Sequence, residues 1–228
     1  ILQNMLQGLQ VKSALTGTIG FNLNGVLYDS ANTTSDALST QQMIQRAKNE
    51  GCKSMIMEVS SHGLVLGRLT GVDFDIAIFT NLTHDHLDFH GTMEQYGQAK
   101  GLLFSQLGQD LERTKHAIVN SDDEWSSRLK EMTGYPVWTY GIHQPAHFQG
   151  LNIKLQADCT KFDMKTPEGI FSVRMNLLGE FNVYNALAAT TALYTQGYTV
   201  PQILEQLEKI PHAPSGAQCA RNHRSHQL

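Results

Sequence analysis

Asp75-Ile76-Ala77-Ile78-Phe79-Thr80-Asn81-Leu82-Thr83-His84-Asp85-His86-Leu87-Asp88-Phe89-His90-Gly91 passes without a break from an apolar run into a polar, imidazole-rich one. Its first half is short and continuously apolar, the pattern of a parallel strand covered on both faces. Its second half places His84, Asp85, His86, Asp88 and His90 where that strand would end. Open α/β sheets bind ligands beyond the carboxyl ends of their strands, so these metal-competent groups fall at the ligand edge. A solvated polar loop is the alternative reading of the same residues.

Working outward, the segments Lys53 to Val59, His116 to Asn120 and Pro136 to Tyr140 repeat the short apolar texture. Helical spacing fills the gaps between them. One helix is seeded at Asp36 and turns Thr40, Ile44 and Ala47 inward; another runs from about Met93 with Tyr96, Ala99, Leu103 and Leu107 on one stripe; a third carries Trp125, Leu129 and Met132. Alternating β and α units predict an α/β fold with a mostly parallel central sheet, flanked by helices and joined by right-handed crossovers. From about His147 to Asn176 the texture becomes alternating, in Phe148 to Leu155, Thr160 to Met164 and Gly169 to Met175, which predicts a small antiparallel β meander appended to the sheet. A helix follows Gly179 and stops at Gly197, and the last one begins near Pro201 and buries Ile203, Leu204, Leu207 and Ile210.

Residues 1–210 therefore read as one domain, and residues 211–228, which have no apolar period, as a disordered tail. At the other end, Leu2, Met5, Leu6 and Leu9 look like the second half of a helix, so a piece of a longer protein is expected. With 228 residues, 41% of them apolar, and a net charge of −4, a globular protein is expected rather than a disordered one. There is no apolar run of membrane-spanning length and no cleavable signal, which points to the cytoplasm and away from a membrane partner. Cys52, Cys159 and Cys219 are odd in number and widely spaced, as reduced thiols in that compartment would be. A pI near 6.2 without a Lys/Arg block argues against nucleic acid.

The chemistry concentrates in three places. Glu58 closes an apolar strand and precedes Ser60-Ser61-His62-Gly63, so its carboxylate sits at the ligand edge as a magnesium ligand, or else as a partner in a salt bridge or helix cap. His86, placed at the end of the next strand, would reach the same ion. Lys100 lies beside Tyr96 and Leu103 at the margin of a buried helix face, where an ammonium loses hydration and tends to deprotonate. Such an amine can act as nucleophile or base, or take up carbon dioxide as a carbamate; a snorkelling surface lysine is the plainer reading.

Four stretches carry a family resemblance: Met57-Glu58-Val59-Ser60-Ser61-His62-Gly63-Leu64; Phe79-Thr80-Asn81-Leu82 with Asp85 to Gly91; Tyr96 to Lys100; and Leu178-Gly179-Glu180-Phe181-Asn182-Val183-Tyr184-Asn185-Ala186. In this order they resemble the central domain of the Mur ligases, whose fold is like that of the P-loop NTPases, and the likeness spans roughly Leu2 to Ile210. Within the family it is strongest to the members that add the third residue of the peptidoglycan stem peptide. The resemblance implies an ATP-dependent amide-bond ligase, expected as a monomer. The carboxylate of UDP-N-acetylmuramoyl-L-alanyl-D-glutamate would be phosphorylated by ATP, and the amine of a diamino acid, L-lysine or meso-diaminopimelate, would displace phosphate. It also implies Mg2+ ions held by Glu58, by His86 and by a carbamoylated lysine at Lys100, with His86 and Lys100 as the catalytic pair. Asn182 and Asn185 would lie near the adenine, and Asn32, Thr33, Thr34, Ser60 and Arg68 would meet the nucleotide sugar. Read without the resemblance, Asn32-Thr33-Thr34 caps the helix near Asp36, and Asn182 caps the one after Gly179.

The family's phosphate-cradling loop, a glycine-rich turn ending in Gly-Lys-Thr, is expected upstream of Ile1, and the 228 residues contain no such turn. Turnover by this chain alone is therefore expected to be negligible. A catalytically dead remnant that binds a partner or the nucleotide sugar is one alternative. A zinc hydrolase of the metallo-β-lactamase type is the other, since His84, His86 and Asp88 fit its signature; Phe89, however, occupies the last place and His90 comes one residue late.

Overall fold

The computed structural model describes residues 1–30, 32–107 and 112–211; the tail expected at residues 211–228 lies, after Pro211, outside them. The chain opens with α1 (Leu2–Gly8) and then forms β1 (Ser13–Gly17), β2 (Gly20–Leu23) and β3 (Val26–Tyr28), an antiparallel meander. Helix α2 (Ala37–Asn49) follows, and its first turn is closed by Asp36, whose carboxylate accepts from Ser39 N at 3.0 Å. Strand β4 (Ser54–Met57) then pairs parallel to β1, giving a four-stranded sheet of order β3-β2-β1-β4.

After α3 (Ser61–Val65) the chain builds a second sheet. It contains β5 (Ile76–Phe79), and then, beyond α4 (Leu87–His90) and α5 (Met93–Ser105), β6 (His116–Asn120); α6 (Trp125–Met132) leads to β7 (Val137–Gly141). The meander β8 (Phe148–Leu155), β9 (Thr160–Thr166) and β10 (Gly169–Met175) completes a six-stranded sheet of order β10-β9-β8-β7-β6-β5, parallel from β5 to β8 and antiparallel beyond. Helices α7 (Glu180–Thr195) and α8 (Val200–Glu208) end the described fold.

The mixed α/β architecture expected from the sequence is present, but its parallel strands are divided. Strand β4 belongs to the first sheet and β5 is the edge of the second, with no ladder between them among the described residues. The reason lies in β1, which was not anticipated and takes β4 as its parallel partner.

The second sheet is covered on both faces. Along β6, Ala117 and Val119 join Ala77, Phe79, Phe104 and Leu129 in the layer beneath α5 and α6, while Ile118 points the other way to Leu187 and Leu193 of α7. Helix α7 is buried nearly all round, as its run of Val, Leu, Ala and Thr requires. Helix α8 begins at a capping box in which Gln202 Oε1 accepts from Thr199 N at 3.0 Å.

Helices α5 and α6 touch at Gly97, where the Trp125 ring occupies the space a Cβ would need. Gly97→Ala should therefore destabilise the fold by about 1–3 kcal/mol, although alanine is the better helix former, because the indole has to move. Urea denaturation reads this directly.

Burial holds the imidazoles of His90, His116 and His147 below their ordinary value, and the last two illustrate how this makes the fold acid-sensitive. His147 Nδ1 accepts from Thr139 N at 3.1 Å, and His116 Nδ1 is buried without a partner. Burial holds both below the ordinary histidine value of 6.5, with Lys130 adding to the effect at His147. The folded state then binds fewer protons than the unfolded one in acid. Stability should be complete above pH 6.5 and fall as the pH drops through the two depressed values. The urea midpoint should decline between pH 7 and pH 5, and His147→Gln should flatten part of that decline.

Candidate functional site

The functional residues expected from the sequence fall into three groups. The first surrounds Glu58. Its N–H donates to Thr16 O at 2.8 Å, extending the β1–β4 ladder by one residue, and its Oε2 accepts from Thr18 N at 2.7 Å and Thr18 Oγ1 at 2.9 Å. Gly17 leaves room for this carboxylate, which would have to move if a side chain stood there. Thr18 Oγ1 also lies 3.1 Å from Thr33 Oγ1. Thr34 is only 3% exposed; its hydroxyl donates to Glu58 O at 3.1 Å and accepts from Ser60 N at 2.9 Å. Arg68 donates to Thr34 O at 2.9 Å, Ser60 Oγ caps α3 by accepting from Gly63 N at 3.0 Å, and exposed Asn32 accepts from Ser30 Oγ through its carbonyl. The hydroxyls of Thr34 and Ser60 are thus committed to the chain's own backbone, whereas Arg68 keeps donors in reserve.

The second group surrounds Tyr96. His86 is not at the end of β5 as the sequence suggested; it stands at the start of α4, at φ 56° and ψ 24°. Its ring meets Tyr96 edge-on with centroids 5.7 Å apart, and meets His62 of α3 at 5.3 Å. Lys100 Nζ lies 5.1 Å from the centre of the same tyrosine ring. Burial pushes the Lys100 ammonium below the ordinary lysine value, against a smaller pull upward from Asp123. Glu58 and His86 are not brought together by adjacent strands as expected, because β4 and β5 lie in different sheets; the ring that meets His86 from this side is His62 of α3.

The third group lies where α7 begins. Asn182 Nδ2 donates to Leu178 O at 2.9 Å, and Asn185 Nδ2 to Asn182 Oδ1 at 3.4 Å. Asn185 lines a cleft of about 500 Å³ together with Asn81, Asn120, Phe181 and Tyr184. Asp122, also on its wall, accepts from Ile142 N and Gln144 N at 2.6 Å each and from Tyr184 Oη at 2.7 Å. Burial alone would raise the Asp122 carboxyl, but these donors outweigh it and hold the group below the usual range; burial and that carboxylate push the Tyr184 phenol up.

The donor chemistry of the first two groups fits a divalent cation. Both side-chain hydrogen bonds to Glu58 use Oε2, which leaves Oε1 available, and burial weakens the hold of Lys100 on its proton. Among the described residues no cluster of three or more His, Cys, Asp and Glu side chains could hold a metal, so His84, His86 and Asp88 do not assemble a zinc centre.

Residues 1–193 match the Mur ligase middle domain. The chain belongs to the Mur ligase family. Over 202 residues it is 48% identical to the UDP-N-acetylmuramoyl-L-alanyl-D-glutamate–L-lysine ligase of Staphylococcus aureus (strain MW2), a match covering 89% of this chain and 41% of that protein. The enzyme of the same name from Staphylococcus haemolyticus is 48% identical over 204 residues, which are 90% of this chain and 41% of the relative. A solved UDP-N-acetylmuramoyl-L-alanyl-D-glutamate–2,6-diaminopimelate ligase is similar in structure, with a TM-score of 0.84 at 30% identity, over 94% of this chain and 44% of that one. The chain thus spans about 41% of the length of the curated relatives it matches.

Several residues that surround these side chains were not singled out from sequence. Thr18, which anchors Glu58, follows an inconspicuous Thr16-Gly17 pair, and only long-range pairing of β1 with β4 brings it there. His62 and His90 did stand inside the quoted motifs. Thr34→Val keeps the shape of the side chain but removes a donor and an acceptor, and should cost about 1–3 kcal/mol of stability in chemical denaturation.

Proposed function

We propose that this chain is the ATP-handling middle portion of a cytoplasmic ligase that forms an amide bond between UDP-N-acetylmuramoyl-L-alanyl-D-glutamate and a diamino acid. The observation that carries the reading is the grouping of His86 and desolvated Lys100 on one tyrosine ring, next to the helix that follows Glu58. The 48% identity to L-lysine ligases supports it and makes L-lysine the first diamino acid to assay.

In this reading the substrate carboxylate takes the γ-phosphoryl group of ATP with release of ADP. The amine of the diamino acid then attacks the acyl carbon, phosphate leaves, and the amine gives up a proton. Phosphoryl transfer of this kind needs positioning and neutralisation of charge more than covalent help from the protein. Mg2+, when bound, supplies that neutralisation. Glu58 Oε1 and the His86 ring would hold the ion, and Lys100 would join them as an anionic carbamate, formed when its neutral amine adds to carbon dioxide and releases a proton. Arg68, with donors to spare, suits a phosphate or carboxylate of the nucleotide sugar beside Asn32 and Thr33. The cleft lined by Asn185 and Phe181 suits the adenine.

No glycine-rich Gly-Lys-Thr turn occurs in the 228 residues, so the chain by itself should bind ATP weakly; that observation favours, as a second reading, a segment that binds the nucleotide sugar without turnover. The test uses a full-length protein containing this chain. ADP should form only with UDP-N-acetylmuramoyl-L-alanyl-D-glutamate and a diamino acid both present. Lys100→Ala should lower turnover by on the order of 10²–10³-fold, with partial recovery on adding a short carboxylic acid. Full activity in that variant would remove the carbamate from the mechanism.

A further inference from the structure

Tyr96 lies one helical turn before Lys100 on α5 and is only 5% exposed. Three titratable side chains lie against its ring. Lys100 Nζ stands 5.1 Å from its centroid, His86 meets it edge-on at 5.7 Å and 87°, and His90 stacks on it at 4.9 Å and 18°. His90 is itself fixed, being 7% exposed with Nε2 2.8 Å from the Oγ of buried Ser61. Among the described residues the Tyr96 hydroxyl makes no hydrogen bond, so the ring alone makes these contacts.

His86 needs such support. It is a non-glycine residue at φ 56°, a backbone region that costs energy and persists only where the surroundings hold it. The imidazole is also about half exposed, and apart from Asp85, 3.6 Å away, its partners are the rings of Tyr96 and His62.

The geometry points to Tyr96 as a positioning residue: its ring, fastened by the Ser61–His90 pair, sets the His86 imidazole and the Lys100 amine relative to each other so that both address one divalent cation. This rests on the reading of His86 and Lys100 as ion-holding groups. The ring does not touch the ion. It restricts two side chains that would otherwise sample several rotamers, and partners that orient metal-binding side chains govern affinity nearly as strongly as the ligands do.

The experiment follows histidine ring signals by NMR in the full 228-residue chain, with Mn2+ as the probe ion. His86 is assigned through the signal lost in His86→Gln. In the wild type and in Tyr96→Phe, the His86 ring protons should be displaced upfield by the adjacent aromatic ring, and Mn2+ should broaden them at the same concentration. In Tyr96→Leu the part of the displacement contributed by Tyr96 should be lost, leaving that of the His62 ring, and about tenfold more Mn2+ should be needed. Ser61→Ala, a milder change that leaves every ring in place, should shift the Mn2+ requirement in the same direction by about twofold or more and keeps the test open if Tyr96→Leu does not fold. Equal broadening in all forms overturns the positioning role while sparing the ion reading. An intact upfield displacement with no broadening in any form overturns the ion reading itself, and an undisplaced His86 signal in the wild type overturns the ring contact.

Discussion

Burial of both faces of the β5–β6–β7 ladder is the constraint on which the remaining structure depends. With Ala77, Phe79, Ala117 and Val119 turned to one helical layer and Ile118 to the other, the strands have no solvent face, and their polar groups can meet ligand or water only where the strands stop. The loop that follows β5 is secured at that boundary. Tyr140, 1% exposed, donates to Phe79 O at 2.9 Å; Asn120 donates to Thr80 O at 2.9 Å; and Asp123 accepts from Leu82 N at 2.7 Å. Residues 80–82 are therefore fastened to the ends of β6 and β7 before the chain turns toward His86.

Two lysines show how differently the fold treats a cation out of water. Lys115 is fully enclosed, yet its ammonium is paired with Asp73 and donates to Phe74 O at 2.9 Å, so the charge is satisfied and serves to hold the segment leading into β5. Lys100 has an aromatic ring instead of a carboxylate in contact, and Asp123 acts on it only as the weaker opposing influence. Attraction between the ring and the cation favours the charged form, but loss of hydration outweighs it. A half-buried lysine with no salt bridge among the described residues is the chemically notable one.

Much of the second sheet was legible in the sequence. The limits of β8 and β10 follow from alternating segments bounded by turns, and Asp36 marks its helix by the capping it performs. In the first sheet only β4 was legible. Strands β1, β2 and β3 are short and punctuated by Gly17, Gly20 and Gly25, so no window long enough to show a period exists, and only pairing within the sheet makes them strands. The non-local pairing of β1 with β4 hid the division into two sheets. Among the site residues, Glu58 and Lys100 could be weighed from local pattern, whereas the surroundings of Thr34 could not, because its hydroxyl spans a separation of 24 residues to reach Glu58.

The left-handed backbone at His86 has a bearing on how substitutions there should be interpreted. Alanine or a β-branched residue at this position carries a conformational penalty in addition to the missing imidazole, so the damage it causes exaggerates what the ring contributes. Asparagine tolerates the same backbone region and brings an amide of similar reach, which makes it the cleaner comparison. Libraries of variants, or descendants diverging under selection, should accordingly accept asparagine or glycine at this site more readily than side-chain chemistry alone would suggest.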